Sequence, residues 1–358
     1  MTTREEARDV RAEDAFDVEP VHAWLSARVE LPAAPPPVRQ FPGGSSNLTY
    51  LLAYPGRELI LRRPPAGHKA ASAHDMRREY RVQSALAPVY PYVPAMVAFC
   101  DDAAVLGADF YVMERISGVI ARKELPSELG LDAAGVARMC AAVVDRLAEL
   151  HRVDPAAAGL AELGKGPGYV ARQVAGWSKR YGAARTWNVP RFTAVMAWLD
   201  AHQPADVGQC LIHNDYRFDN VVLDPADPTH VVGVLDWEMA TVGDPLMDLG
   251  SSLAYWVQAD DDAAFRRFRM QPTHAAGMLT RREVVRHYTG TGAALDADAW
   301  RFYEVFGLFR LAVVAQQLYA RYHRGETTNP AFKRMFVAVN YLHRRCRRVI
   351  RGGPIGWA

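Results

Sequence analysis

The run Leu211-Ile212-His213-Asn214-Asp215-Tyr216-Arg217-Phe218-Asp219-Asn220, followed by Leu235-Asp236-Trp237-Glu238, carries the side chains that phosphoryl transfer to a hydroxyl requires. In that chemistry one carboxylate takes the hydroxyl proton. An amide oxygen and a second carboxylate hold Mg²⁺ on the nucleotide phosphates. The spacing His-x-Asp-x-x-x-x-Asn offers Asp215 as the base, where placement counts as much as basicity. Asn220 lies on the same loop and Asp236 ends the next apolar strand, so both can present hard oxygen ligands to Mg²⁺. His213 is expected to hold the loop by hydrogen bonds rather than to transfer a proton. An Asp- and Asn-rich loop before a strand is also ordinary turn chemistry. The second Asp, at the end of an apolar strand, is what favours catalysis.

The elements that must position these residues are legible in outline. Asp14 to Arg28 has helical apolar spacing, and Pro32 to Pro37 breaks the chain as an extended linker. From Phe41 the period changes: Asn47 to Tyr54 and Glu58 to Arg62 are strand-like and joined by Pro55-Gly56, a hairpin signal. Ala73 to Leu86 predicts a helix and Asp109 to Glu114 a further strand, so this part forms a small α+β lobe. The remainder is mostly helical. Asp132 can cap a helix reaching Leu150, Pro190 sits where another begins, and two long helices are expected over Ala299 to His323 and Pro330 to Arg348. Asn220 to Leu223 and Val231 to Leu235 interrupt them as two short strands, so the motif lies on a loop and a hairpin set into a helical lobe.

Bulk properties narrow the class. The 358 residues suffice for two lobes, half of them are hydrophobic, and the net charge of +2 argues for neither nucleic-acid nor membrane partners. Met1 to Val10 is charged and lacks an apolar core, so no secretory leader is expected, and no apolar run approaches a membrane span. Cys100, Cys140, Cys210 and Cys346 are scattered without metal-ligand spacing, as expected of reduced, buried thiols in a cytoplasmic protein.

Further motifs accompany the catalytic run: Phe41-Pro-Gly-Gly-Ser-Ser-Asn, Leu61-Arg-Arg-Pro-Pro, Arg78-Glu-Tyr-Arg-Val, Leu150-His-Arg-Val-Asp-Pro and Gly243-Asp-Pro-Leu-Met-Asp-Leu-Gly. With them the chain resembles the aminoglycoside phosphotransferase and choline kinase-like family, relatives of the protein kinases. Within it the likeness is greatest to the kinase-like domains related to those of multidomain acyl-CoA dehydrogenase proteins. It runs from about Gln40 to Arg348. The resemblance implies a bilobal, protein kinase-like α+β fold and an enzyme that uses ATP and Mg²⁺. It divides the chain into a tail, helix and linker (1–37), a nucleotide-binding lobe (38–117, hinge near 114–117) and a catalytic lobe (118–358).

By the same resemblance Gly43, Gly44, Ser45, Ser46 and Asn47 form a loop whose backbone N–H groups cover the phosphates. The phosphate-pairing Lys of protein kinases is absent, and Arg62 or Arg63 stands in its place. Alternation along a strand puts Ile60 and Arg62 on one face and Arg63 on the other, which favours Arg62. Glu79 matches the partner that orients this cation, with Arg78 and Arg81 on the surface. Glu114 and Ile116 lie on the strand and hinge where the backbone would meet the adenine edge. Asp244 and Asp248 are implied to brace the catalytic loop from beneath, with Glu238 a candidate neighbour of the site. Trp177, Trp187 and Trp198 are expected in the core or a cleft wall.

Leu160 to Asp200 should cover the acceptor. It carries Lys165, Arg172, Lys179, Arg180, Arg185 and Arg191 against Glu162 and Asp200. A polycationic aminoglycoside would want an acidic cleft, so this basic segment suits an anionic acceptor, with a hydroxyacyl-CoA as the leading candidate. A solvated helix face explains the same residues. An aminoglycoside or amino-alcohol kinase and a nucleotide-binding pseudokinase are the other readings.

Overall fold

The computed structural model describes residues 7–42, 47–65, 75–290 and 297–353. Gly43, Gly44, Ser45 and Ser46 therefore lie outside the described residues. The chain divides into two compact units. The first comprises Met1–Ile120, Ala158–Leu160 and Asn220–Met239, and the second Ala121–Ala157, Ala161–Asp219 and Ala240–Ala358.

In the first unit, helix α1 (Val18–Ser26) starts where the Asp17 carboxylate accepts the Glu19 N–H at 3.0 Å. Pro20 falls in its first turn, where a missing N–H costs no hydrogen bond. The helix expected over Asp14 to Arg28 is therefore shorter, and Ala12–Asp14 forms a separate 3₁₀ turn. Strands β1 (Val38–Gln40), β2 (Leu48–Tyr54), β3 (Arg57–Arg63), β4 (Met96–Cys100) and β5 (Phe110–Glu114) make one antiparallel sheet in the order β1-β2-β3-β5-β4. Gly56, with φ of 77°, makes the tight β2–β3 turn. Strand β4 lacked a clear alternating signal and was not expected.

Both faces of the sheet are buried, which explains its apolar density. Tyr50, Leu52, Leu59 and Leu61 pack with Val21 and Leu25 of α1 on one side. Leu51, Ile60, Tyr111 and Met113 pack on the other with Met76 of helix α2 (Met76–Leu86), whose first turn Asp75 caps at 2.9 Å. The expected start at Ala73 lies outside the described residues. Helix α3 (Ala103–Leu106) is a short turn of helix between β4 and β5.

The second unit opens with α4 (Ala133–Leu150), capped by Asp132 as its sequence foretold, at 2.7 Å to the Gly135 N–H. Helix α5 (Tyr169–Ala184) is started by Asp206, which accepts the N–H groups of Gly168, Tyr169 and Val170 at 2.6, 2.9 and 2.9 Å. Helix α6 (Thr193–Ala201) begins later than Pro190 because Phe192 sits in the left-handed region, with φ of 56°. Strand β6 (Cys210–Ile212) precedes the motif loop. The hairpin of β7 (Val221–Leu223) and β8 (Val231–Val234) groups with the first unit, and β9 (Thr241–Gly243) returns to pair with β6.

Helices α7 (Pro245–Leu253), α8 (Ala263–Arg267), α9 (Arg281–Thr289) and α10 (Ala297–His323) follow. A 3₁₀ turn, Pro330–Arg334, then leads into α11 (Met335–Gly352). A methyl group on Gly250 of α7 would meet the Tyr303 carbonyl oxygen at 2.7 Å, and one on Gly307 of α10 would collide with the Gly250 carbonyl. These two glycines let the helix backbones touch, which fixes α7 and α10 beneath the motif loop. All four cysteines are free and buried. Among the described residues no helix is long and apolar enough to cross a membrane.

Candidate active site

The sequence-predicted residues fall into two constellations, one in each unit. In the first unit the β7–β8 hairpin pairs Val221 with Val234, so Asn220 and Asp236 extend from its open end. The Leu235 N–H donates to the Asn220 carbonyl at 2.8 Å and holds that end shut. Asp236 adopts φ of 68°, a left-handed conformation that a non-glycine residue holds only at a cost of about 1–3 kcal/mol.

Arg62 meets this carboxylate, its guanidinium donating to Asp236 Oδ1 at 3.1 Å. On its other side it lies 3.5 Å from Glu79 Oε2. Arg63 leaves the opposite face of β3 and donates to the Tyr50 hydroxyl at 2.9 Å and the Asp14 carbonyl at 2.7 Å. The alternation of the strand thus separates the two arginines, and Arg62 stands with the acidic cluster. Burial alone would lower the Arg62 pKa. Tyr111, Glu79, Asp236 and Glu238 outweigh it and push the pKa well up, so the cation is permanent.

Glu79 is buried to 2% exposure, and burial raises its pKa against the pull of Arg62. The Tyr111 hydroxyl donates to it at 2.9 Å and the Asn47 amide at 2.8 Å. Asn47 also donates to Glu238 at 3.3 Å, so its side chain is a buried brace. Arg78, expected on the surface, instead donates to the Glu238 carbonyl at 2.9 Å and ties α2 to the turn after Asp236. Arg81 is exposed as expected.

At the hinge, the Glu114 side chain pairs with Arg57 at 2.5 Å and its N–H donates to the Ala95 carbonyl at 2.8 Å. A ring edge would therefore have to meet the carbonyl of Glu114 rather than its N–H. Ile116 packs over β8, where a methyl group on Gly233 would come within 2.6 Å of it. Val119 and Leu223 bridge the hinge strand to the hairpin.

The second constellation is the motif loop. Asp248 of α7 has no exposed surface and accepts the backbone N–H groups of His213 and Asn214, both at 2.8 Å. His151 lies 3.1 Å from the same carboxylate. Burial pushes the Asp248 pKa up, but the hydrogen bond and charge of His151, with His213 behind it, hold the net value below the ordinary range. Asp244 caps α7 and also accepts the Val207 N–H at 2.6 Å. Asp248 therefore holds the motif loop directly, whereas Asp244 holds the segment before β6 and the start of α7 and bonds no residue of the loop itself. Arg310 of α10 donates to the Asn214 carbonyl at 2.6 Å, and Asn214 has φ of 65°. His213 is fully buried and its Nδ1 accepts the Asp215 N–H at 3.2 Å, a loop-holding contact.

Asp215 thus projects from a loop clamped on three sides. Arg217 donates to its Oδ2 at 3.1 Å, lies 3.3 Å from Asp219 and stacks 4.8 Å from the Tyr255 ring centre. Burial would lower the Arg217 pKa, but the two aspartates raise it. Burial raises that of Asp219 despite Arg217. Trp177 of α5 is buried between two guanidinium groups, Arg180 at 4.6 Å and Arg310 at 5.2 Å. Trp187 departs from expectation. It is 82% exposed, in the turn between α5 and α6, while Trp198 stacks on His202.

The family model described as the phosphotransferase enzyme family matches residues 37–284. The chain belongs to that family. Its expected likeness to the acyl-CoA dehydrogenase-linked branch holds as well. It is 36% identical over 291 residues to mouse acyl-CoA dehydrogenase family member 10, covering 81% of this chain and 27% of that protein. It is 32% identical over 339 residues to rat member 11, covering 92% and 42%. The chain therefore spans well under half the length of these curated relatives.

A crystal structure from Ralstonia eutropha, provisionally assigned as an aminoglycoside phosphotransferase, shares 31% identity with a TM-score of 0.78, covering 95% of this chain and all of that one. Choline kinase from Cryptosporidium parvum shares the fold, with a TM-score of 0.62 at 11% identity over 94% and 97% of the two chains. The kinase-like, bilobal α+β architecture of this phosphotransferase is thereby established.

Four residues of the phosphotransferase's loop constellation escaped the sequence reading as functional candidates. Arg217 and Asp219 lie inside the motif run, and their alternation with Asp215 was the available signal. Tyr255 and Arg310 had none, because only the helix packing brings them to the loop.

Proposed function

We propose that this protein is an ATP- and Mg²⁺-dependent small-molecule kinase that phosphorylates a hydroxyl of an anionic metabolite, with a hydroxyacyl-CoA as leading acceptor. The observation that carries the reading is the clamped Asp215, followed along the chain by Asn220 and then Asp236 at the two ends of one hairpin. Asp215 accepts the hydroxyl proton. Arg217 fixes one of its oxygens, so the carboxylate is held in one orientation before the acceptor arrives. Asn220 and Asp236 offer the hard oxygen pair that suits Mg²⁺, an ion that keeps water and phosphate oxygens as its other ligands. When bound there, Mg²⁺ would neutralise phosphate charge as the phosphoryl group moves. Arg62, oriented by Glu79, adds a fixed cation for phosphate oxygens. Gly43 to Asn47 would supply backbone donors, and Glu114 and Ile116 the edge that meets adenine.

Asp236→Ala should weaken Mg·ATP binding and flatten the Mg²⁺ dependence of that binding, read by calorimetric titration. Unchanged affinity and metal dependence would remove Asp236 from the ligand set.

The acceptor assignment rests on charge. Arg310, 4% exposed, donates to the carbonyl beside Asp215, and Arg180 flanks the same Trp177. Lys165, Lys179, Arg185 and Arg191 of the same segment are exposed, whereas Arg172 is spent on the Gly166 carbonyl at 2.6 Å. A polycation would be repelled there. A panel of hydroxyacyl-CoAs, amino sugars and amino alcohols with radiolabelled ATP should label the thioesters at least tenfold faster. Preferential labelling of amino sugars would restore the antibiotic-kinase reading, which the name of the Ralstonia eutropha relative favours.

A further inference from the structure

A half-open cavity of about 250 Å³ lies in the second unit, lined by α8, α10, the 3₁₀ turn Pro330–Arg334, α11 and the segments that follow α7 and α8. Its walls are apolar apart from one cation, Arg334, which is exposed and makes no ion pair among the described residues. Met270 on the wall is 56% exposed, an uncommon position for a large apolar side chain unless something covers it.

The cavity shares a wall with the motif loop. Tyr255 lines it, and the same ring carries the Arg217 guanidinium that holds Asp215. Leu311, next in sequence to the Arg310 that clamps Asn214, lines it from α10 together with Ala315. A continuous chain of contacts, Asp215 to Arg217 to Tyr255, therefore runs from the proposed base to an apolar hole.

We propose that this cavity holds the hydrocarbon chain of the acceptor, whose hydroxyl-bearing part lies at Asp215, with Tyr255 as the wall both share. The proposal rests on the acceptor reading above and deepens it from an anion to an anionic amphiphile. The volume accommodates roughly eight groups the size of a water or a methylene, a medium-length chain. Arg334 at the rim suits an amphiphile's acidic group and disfavours a cationic one.

The test uses the full-length chain and a homologous series of straight-chain hydroxyacyl-CoAs from butyryl to dodecanoyl length. Affinity is measured by calorimetry without nucleotide, and transfer is measured separately. Each buried methylene should tighten binding about fourfold, with the gain levelling off once the cavity is full. Ala338→Phe fills the cavity from the partly exposed side of α11, and Ala315→Phe fills it from α10. Either should abolish the length dependence while Mg·ATP affinity, the control for folding, stays unchanged.

Length-independent binding in the wild type, or a dependence that survives both substitutions, would overturn the proposal. So would a dimer in sedimentation that Ala338→Phe dissociates, since the face would then be covered by a second copy. Length-dependent binding that is lost in the variants without any phosphoryl transfer would retain the chain site and retire the hydroxyacyl-CoA acceptor.

Discussion

Replacing Asp215 with alanine is expected to slow single-turnover phosphoryl transfer by ~10²–10⁴-fold, the usual cost of a lost general base. Folding and Mg·ATP affinity should be nearly unchanged. The carboxylate is partly exposed, and Arg217 retains Asp219 as a partner when it is gone, so no buried charge is orphaned. Asp215→Asn is the sharper variant. It keeps an acceptor oxygen for Arg217 and can still orient a hydroxyl, but it cannot take the proton. A rate for Asp215→Asn close to wild type would assign the residue to orientation alone, and a wild-type rate for Asp215→Ala would remove it from the chemistry. Thermal denaturation run beside the kinetics separates either result from misfolding.

The second large effect is structural. Asp248→Ala is expected to destabilise the protein by about 2–5 kcal/mol, since each buried donor left without its acceptor costs about 1–3 kcal/mol. Two loop N–H groups and His151 lose their acceptor at once. Asp248→Asn, which keeps an oxygen acceptor, should cost less. Because the Asp248 pKa is depressed in the folded state, its contribution is fully present above the unfolded value of about 3.9. It is lost as pH falls through the lower folded value. The stability gap between wild type and Asp248→Asn, measured by urea unfolding, should therefore be widest near neutral pH and close below about pH 4. A gap independent of pH would mean that Asp248 braces the loop as a hydrogen-bond acceptor and not as a charge.

The motif loop was legible because the proposed base and one proposed metal ligand fall in a single short segment, and the other proposed ligand just after the next strand. Asp132 and the long C-terminal helices were legible because capping and apolar period are local. Boundaries failed where one residue's backbone decided them. Pro20 is harmless in a first turn, and left-handed Phe192 delays the helix that Pro190 announced. Strand β4 was missed because its pairing with β5 is irregular, with a register shift between Met96 and Ala98.

Arg78 was misjudged for a different reason. Nothing in an Arg-Arg-Glu helix turn reveals which guanidinium will find a backbone carbonyl 160 residues away. The same holds for Arg310, Tyr255 and the apolar cavity, which depend on the near contact of α7 and α10 at Gly250 and Gly307.

The kinase readings and the pseudokinase reading divide on whether a phosphoryl group moves at all. A pseudokinase would bind nucleotide and stop there. The deciding measurement is mass-spectrometric detection of a phosphomonoester on a hydroxyacyl-CoA after one turnover with γ-¹⁸O-labelled ATP, with and without Mg²⁺. The expected result is labelled phosphate on the acceptor hydroxyl, dependent on Mg²⁺ and absent in Asp215→Ala. Tight Mg·ATP binding with no labelled ester on any hydroxyl of the panel would contradict it.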